Sequence, residues 1–426
     1  MAKPKDTTIR TFQYKLKANK SFVTACEKTL DAARFVYNCA LQQRIDLYKY
    51  AGKSISKFEQ SRQLTEARNE LPEVADCLRS IQTDVLDRLD ITFQAFFQRG
   101  AGFPRFKGRD RYHTFSQQIE KQRVCPLKGD KLTVPGVGSC RVRLSRPIEG
   151  TVKQLRITRR ASGWYALLVC EMPKPLPLPK TGLSVGIDVG IKEFATLSTG
   201  EQIANPRTLQ QHAENLAKLQ RRMAKKRKGS QRRAKAKQKV ALAYEKVGNT
   251  RKDFHHKLST RLVNEFDTIT VEDLQITNMV RNHKLSKAIL DVGWNSFFTM
   301  ARCKAASADK VFEKVSPAYT SQDCSKCGHR QKMPLQVRVF DCGNCDHKQD
   351  RDLNAAINIS NRGERPRINK ARGDARACLR SGNRFRLTAR NENQDDSSQR
   401  SVSPDAKIAI DISSISGILR TMQPNM

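Results

Sequence analysis

Four cysteines between residues 324 and 345 constrain this chain more than any other feature. Cys324 and Cys327 form one Cys-x-x-Cys pair, Cys342 and Cys345 form another, and fourteen residues separate the two pairs. Thiolates at this spacing can close a tetrahedron around one zinc ion, and a short ribbon hairpin satisfies the gap. The second pair runs directly into D-H-K-Q-D-R-D-L-N-A-A-I-N-I, a helix with an acidic start that ends near Ile359. A metal-stapled knuckle is therefore expected to sit beside carboxylates. His329 and His347 flank the knuckles and are alternative ligands, although four thiols already complete a zinc site.

The chain has 426 residues and a formal net charge of +37, which leads us to expect two or three domains. Such an excess repels itself unless a polyanion neutralises it, and nucleic-acid phosphate is the partner it implies. A ribosomal or histone-like solvated surface is the plain alternative, but those chains are usually short and lack metal-and-carboxylate constellations. Of the 12 cysteines, eight fall outside the ribbon: Cys26, Cys39, Cys77, Cys125, Cys140, Cys170, Cys303 and Cys378. They lack paired spacing, and several lie in apolar patterns and read as buried free thiols, as suits a reducing compartment. No apolar run approaches a membrane span, and the opening M-A-K-P-K-D-T-T has no signal-peptide core. The expected location is cytoplasmic, with no membrane partner.

Thr7–Ala18 alternates as a strand. Ser21–Ala51 carries apolar residues at helical spacing, with Ser21 as the expected N-cap and Gly52 as the stop. Further helices are predicted over Lys57–Asn69 and Val74–Gln98. The loop Gly100–Gly108, G-A-G-F-P-R-F-K-G, mixes aromatics with cations, and Lys131–Glu171 reads as short strands joined by turns. P-K-P-L-P-L-P at Pro173–Pro179 is a stiff extended linker and the expected domain boundary. Beyond it come strands at Leu183–Asp188, Phe194–Ser198 and Gln202–Ala204, and then a long helical region over Thr208–Phe266. Within that region Lys218–Lys239 holds twelve Lys or Arg and no acid. A strand over Asp267–Glu272, a helix over Leu285–Lys310 and a strand over Val311–Val315 lead to the ribbon. Trp294, Phe297 and Phe298 are expected to pack a helix onto a sheet. From Arg362 the composition turns polar and aperiodic, as in a mostly disordered tail.

Asp188 ends an apolar strand in S-V-G-I-D-V-G, Glu272 ends another in D-T-I-T-V-E-D-L, and Asp352 opens the last helix. A carboxylate at a buried strand end is costly unless it is paired or metal-bound. Three such groups from distant segments can converge on two divalent cations about 3.5–4 Å apart and drive phosphodiester hydrolysis. Hard oxygen ligands suit Mg²⁺ or Mn²⁺. Taken singly, each acid is also readable as a turn or cap residue, and G-x-D-x-G occurs in actin-like ATPases as well. The ATPase reading needs a second Gly-rich phosphate loop, which we do not find. The order of strands, helices and acids matches a ribonuclease-H-like nuclease. Asp350 and Asp273 compete for the same roles, and Asp273 should face away from Glu272 along the strand.

Several segments together resemble the TnpB (OrfB) proteins of bacterial insertion sequences. They are R-F-V-Y-N at Arg34–Asn38, F-P-R-F-K at Phe103–Lys107, V-G-I-D-V-G-I-K-E-F-A at Val185–Ala195 and D-T-I-T-V-E-D-L at Asp267–Leu274. Gly293-Trp294, Y-T-S-Q-D-C-S-K-C-G at Tyr319–Gly328 and D-R-D-L-N-A-A-I-N-I at Asp350–Ile359 complete the set. The resemblance spans roughly residues 8 to 360, and the acidic triad and the four cysteines show no departure from it. It implies an α/β and α+β multidomain protein. Residues 1–172 would form a wedge β-barrel interrupted by a helical recognition region at about 20–125. Residues 173–182 would be the linker, and 183–361 an RNase H-like (RuvC) nuclease domain with a zinc ribbon at about 319–348. The tail would occupy 362–426.

The implied function is an RNA-guided DNA endonuclease of a bacterial or archaeal insertion sequence, acting at the nucleoid. Asp188, Glu272 and Asp352 would be its catalytic metal ligands for Mg²⁺ or Mn²⁺, and structural zinc would sit on Cys324, Cys327, Cys342 and Cys345. A guide RNA derived from the element and a double-stranded DNA target would be the partners, and the oligomeric state stays open. Candidate nucleic-acid contacts are Tyr37, Asn38, Phe103, Arg105 and Lys107, with Arg221, Arg222, Lys225, Lys226, Arg227 and Lys228 in the basic run. For Tyr37 and Phe103 core packing is the alternative, and for the basic run a solvated helix face. A nucleic-acid-binding regulator of transposition without cleavage is the competing function.

Overall fold

The computed structural model describes residues 7–75, 77–119, 126–334 and 336–364. The first strand, β1 (Thr7–Lys17), leads into the long helix α1 (Lys20–Ala51). That helix starts one turn position earlier than the sequence suggests, because Asn19 is the cap: its side-chain oxygen accepts the Phe22 N–H at 2.8 Å. The Ser21 hydroxyl donates to the same oxygen. The helix stops at Gly52, whose φ of 62° lets its N–H reach back to the Leu47 and Tyr48 carbonyls. Then come α2 (Lys57–Glu70), α3 (Pro72–Ala75) and α4 (Arg79–Arg99). The predicted helix over Val74–Gln98 is thus broken. At the break the Arg68 guanidinium and the Gln82 amide take the Val74 and Cys77 carbonyls, which a continuous helix would use internally.

The remaining strands of this half are β2 (Thr114–Gln118), β3 (Leu127–Lys128), β4 (Lys131–Val134), β5 (Gly138–Arg143), β6 (Thr151–Arg160) and β7 (Gly163–Pro173). With β1 they form one seven-stranded antiparallel sheet in the order β2-β6-β7-β1-β5-β4-β3. β6 and β7 are a long hairpin rather than the short strands expected. Tyr14, Phe115, Leu132 and Leu155 from the sheet share one core with Leu30, Leu41, Ile81 and Leu89 from the helices.

Beyond Pro173, the last residue of β7, the proline-rich stretch carries no strand or helix, and its end is anchored. The Thr181 and Gly182 amides donate to the Asp267 carboxylate at 2.8 and 2.7 Å. These N–H groups, Thr181 first, hold that carboxyl at about 2.

The second sheet contains β8 (Ser184–Val189), β9 (Glu193–Leu197), β10 (Gln202–Ala204), β11 (Thr268–Glu272) and β12 (Val311–Val315). Its order is β10-β9-β8-β11-β12; β8, β11 and β12 run parallel, and the two outer hairpin strands run antiparallel. Between β10 and β11 lie α5 (Thr208–Gln211), α6 (Ala213–Ala224) and α7 (Gln231–Glu265). Between β11 and β12 lie α8 (Ile276–Met279), α9 (His283–Val292) and α10 (Trp294–Ser307). The single helix expected over Leu285–Lys310 divides at Gly293, whose φ of 67° is readily adopted only by glycine. The ribbon strands β13 (Val339–Asp341) and β14 (Lys348–Asp350) precede the last described helix, α11 (Arg351–Glu364).

Strand alternation sorts this sheet into two faces. Val185, Ile187, Ile269 and Val271 enter a core with Leu262, Trp294 and Phe297, so the aromatic trio packs helix on sheet as expected. Gly186, Asp188, Thr270 and Glu272 take the opposite face, where α11 lies across β8 and β11.

Five scattered cysteines, Cys26, Cys39, Cys77, Cys140 and Cys170, carry free thiols. Cys303 is disulfide-bonded. Cys125, Cys378 and the tail beyond Glu364 lie outside the described residues. Among the described residues no helix is long and apolar enough to cross a membrane.

Candidate active site and metal centre

β8 and β11 pair in parallel with Val271 beside Ile187. One residue further along, Asp188 and Glu272 stand at neighbouring strand ends, the position where parallel sheets present their functional groups. α11 brings Asp352 to the same place from its first turn. The charges of these acids act on one another. The Asp188 carboxyl is pushed well above its ordinary range, first by burial and then by the negative charges of Glu272 and Asp352. Arg351 and the Val189 backbone N–H pull it partly back. Glu272, only 8 % exposed, is also raised by burial, while the Thr320 hydroxyl and Arg362 oppose the shift.

The two competing acids have other work. Asp350 caps α11, accepting the Asp352 and Leu353 N–H groups at 2.9 and 3.1 Å. Asp273 turns outward, as expected, and pairs with Lys314 at 2.8 Å. Asp352 stays partly open, with Arg338 from the ribbon 3.5 Å away. Carboxylates are the hard oxygen donors that divalent cations take, but among the described residues the group whose ligand atoms are gathered closely enough to hold a metal ion is the four ribbon cysteines, not these three acids.

The four ribbon sulfurs lie within 4.8 Å of one another. Cys324 and Cys345 are 3.7 Å apart at Sγ, as are Cys327 and Cys342. A tetrahedron with Zn–S bonds of about 2.3 Å has edges of about 3.8 Å, so the set fits zinc. Each knuckle is built by backbone turns: Cys324 N–H donates to the His329 carbonyl, and Cys342 N–H to that of His347. Phe340 fills the small core beneath them. The two histidines contribute these carbonyls and are not in the sulfur cluster.

Two asparagines of D-R-D-L-N-A-A-I-N-I were not singled out from the sequence, yet they join ribbon to helix. Asn354 donates to the Asp323 carbonyl and accepts from Ser325 N–H; Asn358 donates to the Thr320 and Asp323 carbonyls. Arg362 adds bonds to the Ser316 and Ala318 carbonyls and to the Asp323 carboxylate. Their spacing of four along one helix face was the available signal.

The candidate nucleic-acid residues divide. Tyr37 is 4 % exposed and packs against Tyr112 in the core, so its ring is withdrawn from any solvent-borne partner. Asn38 spends its amide on the Lys107 backbone, with bonds of 2.9 and 3.1 Å that fix the F-P-R-F-K loop. In that loop Arg105 is exposed, Lys107 is partly so, and Phe103 is half-exposed with its edge on Phe93 and Phe96. Arg221 and Arg222 close α6, and Lys225, Lys226, Arg227 and Lys228 form the turn into α7. All six are exposed.

A mixed α/β protein with a four-cysteine ribbon seated beside clustered carboxylates is the class that this geometry defines. The chain belongs to the OrfB/TnpB family of insertion-sequence proteins. Residues 167–283 match the family described as "Probable transposase", and residues 294–359 match "Cas12f1-like, TNB domain". Residues 8–53 match a "Helix-turn-helix domain", although here they form β1 and the single helix α1. A Streptomyces pristinaespiralis protein provisionally named RNA-guided DNA endonuclease is 34% identical, over 82% of this chain and 88% of its own length. A second provisional RNA-guided DNA endonuclease, InsQ of Escherichia coli (strain K12), is 28% identical over 82% of this chain and 91% of its own. The fold is similar to that of Cas12f1 in a cryo-EM complex with sgRNA and target DNA. The TM-score is 0.55 at 14% identity, covering 84% of this chain and 99% of that one.

Proposed function

We propose that this protein is an RNA-guided DNA endonuclease encoded by an insertion sequence, cutting DNA by metal-dependent phosphodiester hydrolysis. The supporting observation is the convergence of Asp188, Glu272 and Asp352 on the α11 face of the second sheet, in a chain whose relatives carry that designation. Asp188 would be the innermost ligand, Glu272 its neighbour on the adjacent strand and Asp352 the ligand on the open side. Mg²⁺ or Mn²⁺ bound there would activate a water and stabilise the leaving oxygen. Burial of Asp188 and Glu272 keeps the reacting phosphate in a site of low dielectric, where these charges act strongly. Structural zinc would occupy the four cysteines.

In this reading residues 1–172 are the wedge and helical recognition module. Residues 173–182 are the linker, and 183–361 form the RuvC-type nuclease module with its ribbon at about 319–348. Guide RNA and target duplex lie along basic surface that includes the exposed α6–α7 turn. Base pairing would read sequence while the protein reads duplex shape, as in other guided nucleases. The test is to express the chain with its native flanking DNA and sequence the RNA that co-purifies. A discrete RNA mapping to the end of the element is expected. Random cellular RNA, or none, favours the regulator without cleavage.

A further inference from the structure

The segment between β12 and the first zinc knuckle touches both metal sites. Thr320 is 4 % exposed, and its hydroxyl donates to Glu272 Oε1 at 2.5 Å, with the Pro317 carbonyl 3.2 Å away as a weaker acceptor. The Thr320 carbonyl accepts from Asn358 on α11, the helix that carries Asp352. Three residues on, the Asp323 carbonyl accepts from both Asn354 and Asn358, and the next residue is the ribbon ligand Cys324. Arg362 and Arg330 hold the Asp323 carboxylate at 3.1 and 2.7 Å. Tyr319, with φ of 65°, makes the turn that aims Thr320 inward, and Arg330 stacks on its ring 3.8 Å from the centroid.

A glutamate has two carboxylate oxygens and a freely rotating end group. With Oε1 committed to Thr320, rotation of the Glu272 carboxylate is restrained, and among the described residues no hydrogen bond reaches Oε2.

We propose that Thr320 is the positioning residue for Glu272, orienting its carboxylate for a divalent cation, and that the ribbon is tied to the carboxylate site through this side chain. This rests on the reading of Asp188, Glu272 and Asp352 as a cation site. Thr320 touches no reacting atom; it acts through Glu272.

Mn²⁺ affinity of the full-length RNA complex, measured by calorimetry, tests it. The variants are Thr320→Val, which keeps the shape and removes the hydroxyl, and Thr320→Ser, which keeps the hydroxyl. Zinc content and melting temperature are read alongside. Thr320→Val is expected to bind Mn²⁺ about tenfold or more weakly, the scale on which such supporting partners act, with zinc content retained. Thr320→Ser should restore affinity to within about threefold of the parent, since it restores the donor. Parental affinity in Thr320→Val, or equal loss in both variants, overturns the proposal and leaves the cation site standing. A parent whose Mn²⁺ binding is unaffected by Asp188→Ala overturns the cation site as well.

Discussion

Gly186 shows how closely the site is built at single residues. A Cβ there would run into the Ala356 carbonyl and the Ser360 amide of α11, backbone atoms that cannot step aside. The glycine in V-G-I-D-V-G therefore lets the helix bearing Asp352 lie directly on the strand bearing Asp188. Gly186→Ala is expected to lower stability by about 1–3 kcal/mol, as overpacking does, and to weaken cleavage by lifting Asp352 away. Thermal unfolding with a parallel cleavage assay checks both; a parental melting temperature and rate would contradict the packing argument. At this scale the sequence was legible for groups whose position along a strand or helix dictates their direction. Asp188, Glu272 and Asp273 follow from alternation. Tyr37 was not settled, because an apolar stripe and a binding surface can use the same residue, and only packing against Tyr112 decides it. Ser21 lost the cap of α1 to Asn19, an equally good oxygen two residues earlier.

Among the elements, the ribbon and α11 behave as one unit. The Asn354 and Asn358 amides and the Arg362 guanidinium bind the backbone leading into Cys324, so the four-cysteine ribbon braces the helix start. Zinc binding is folding energy for such a module. Removing zinc with a chelator is expected to unfold residues 319–348 and to loosen the first turns of α11. Limited proteolysis should then cut within the ribbon while the N-terminal sheet stays intact. An apo protein with unchanged proteolytic pattern and melting temperature would contradict this. Element types were readable from periodicity, whereas the breaks were not. The interruptions at Gly293 and between α3 and α4 depend on a left-handed glycine and on a guanidinium borrowing carbonyls. Neither leaves a periodic trace.

Across the whole molecule, the proposed function assigns the holding of a polyanion to the net charge of +37 and its cutting to the three carboxylates. The tip of the β6–β7 hairpin docks on α7, where Ser162 donates its N–H and hydroxyl to Glu245 at 2.8 and 2.6 Å. Lys237 also reaches Asp110. The basic α6–α7 hairpin is thereby fastened to the N-terminal sheet, a long-range pairing that no local pattern in the sequence announces. The most direct measurement is cleavage of a guide-matched DNA duplex in Mg²⁺ by the purified RNA–protein complex, the parent against Asp188→Ala. The account predicts cleavage by the parent that stops when the metal is chelated. It also predicts a loss of about a thousandfold or more in the variant, the scale of removing one essential group, with RNA affinity unchanged. Equal cleavage by both proteins, or none by a parent that holds its guide and target, would contradict it.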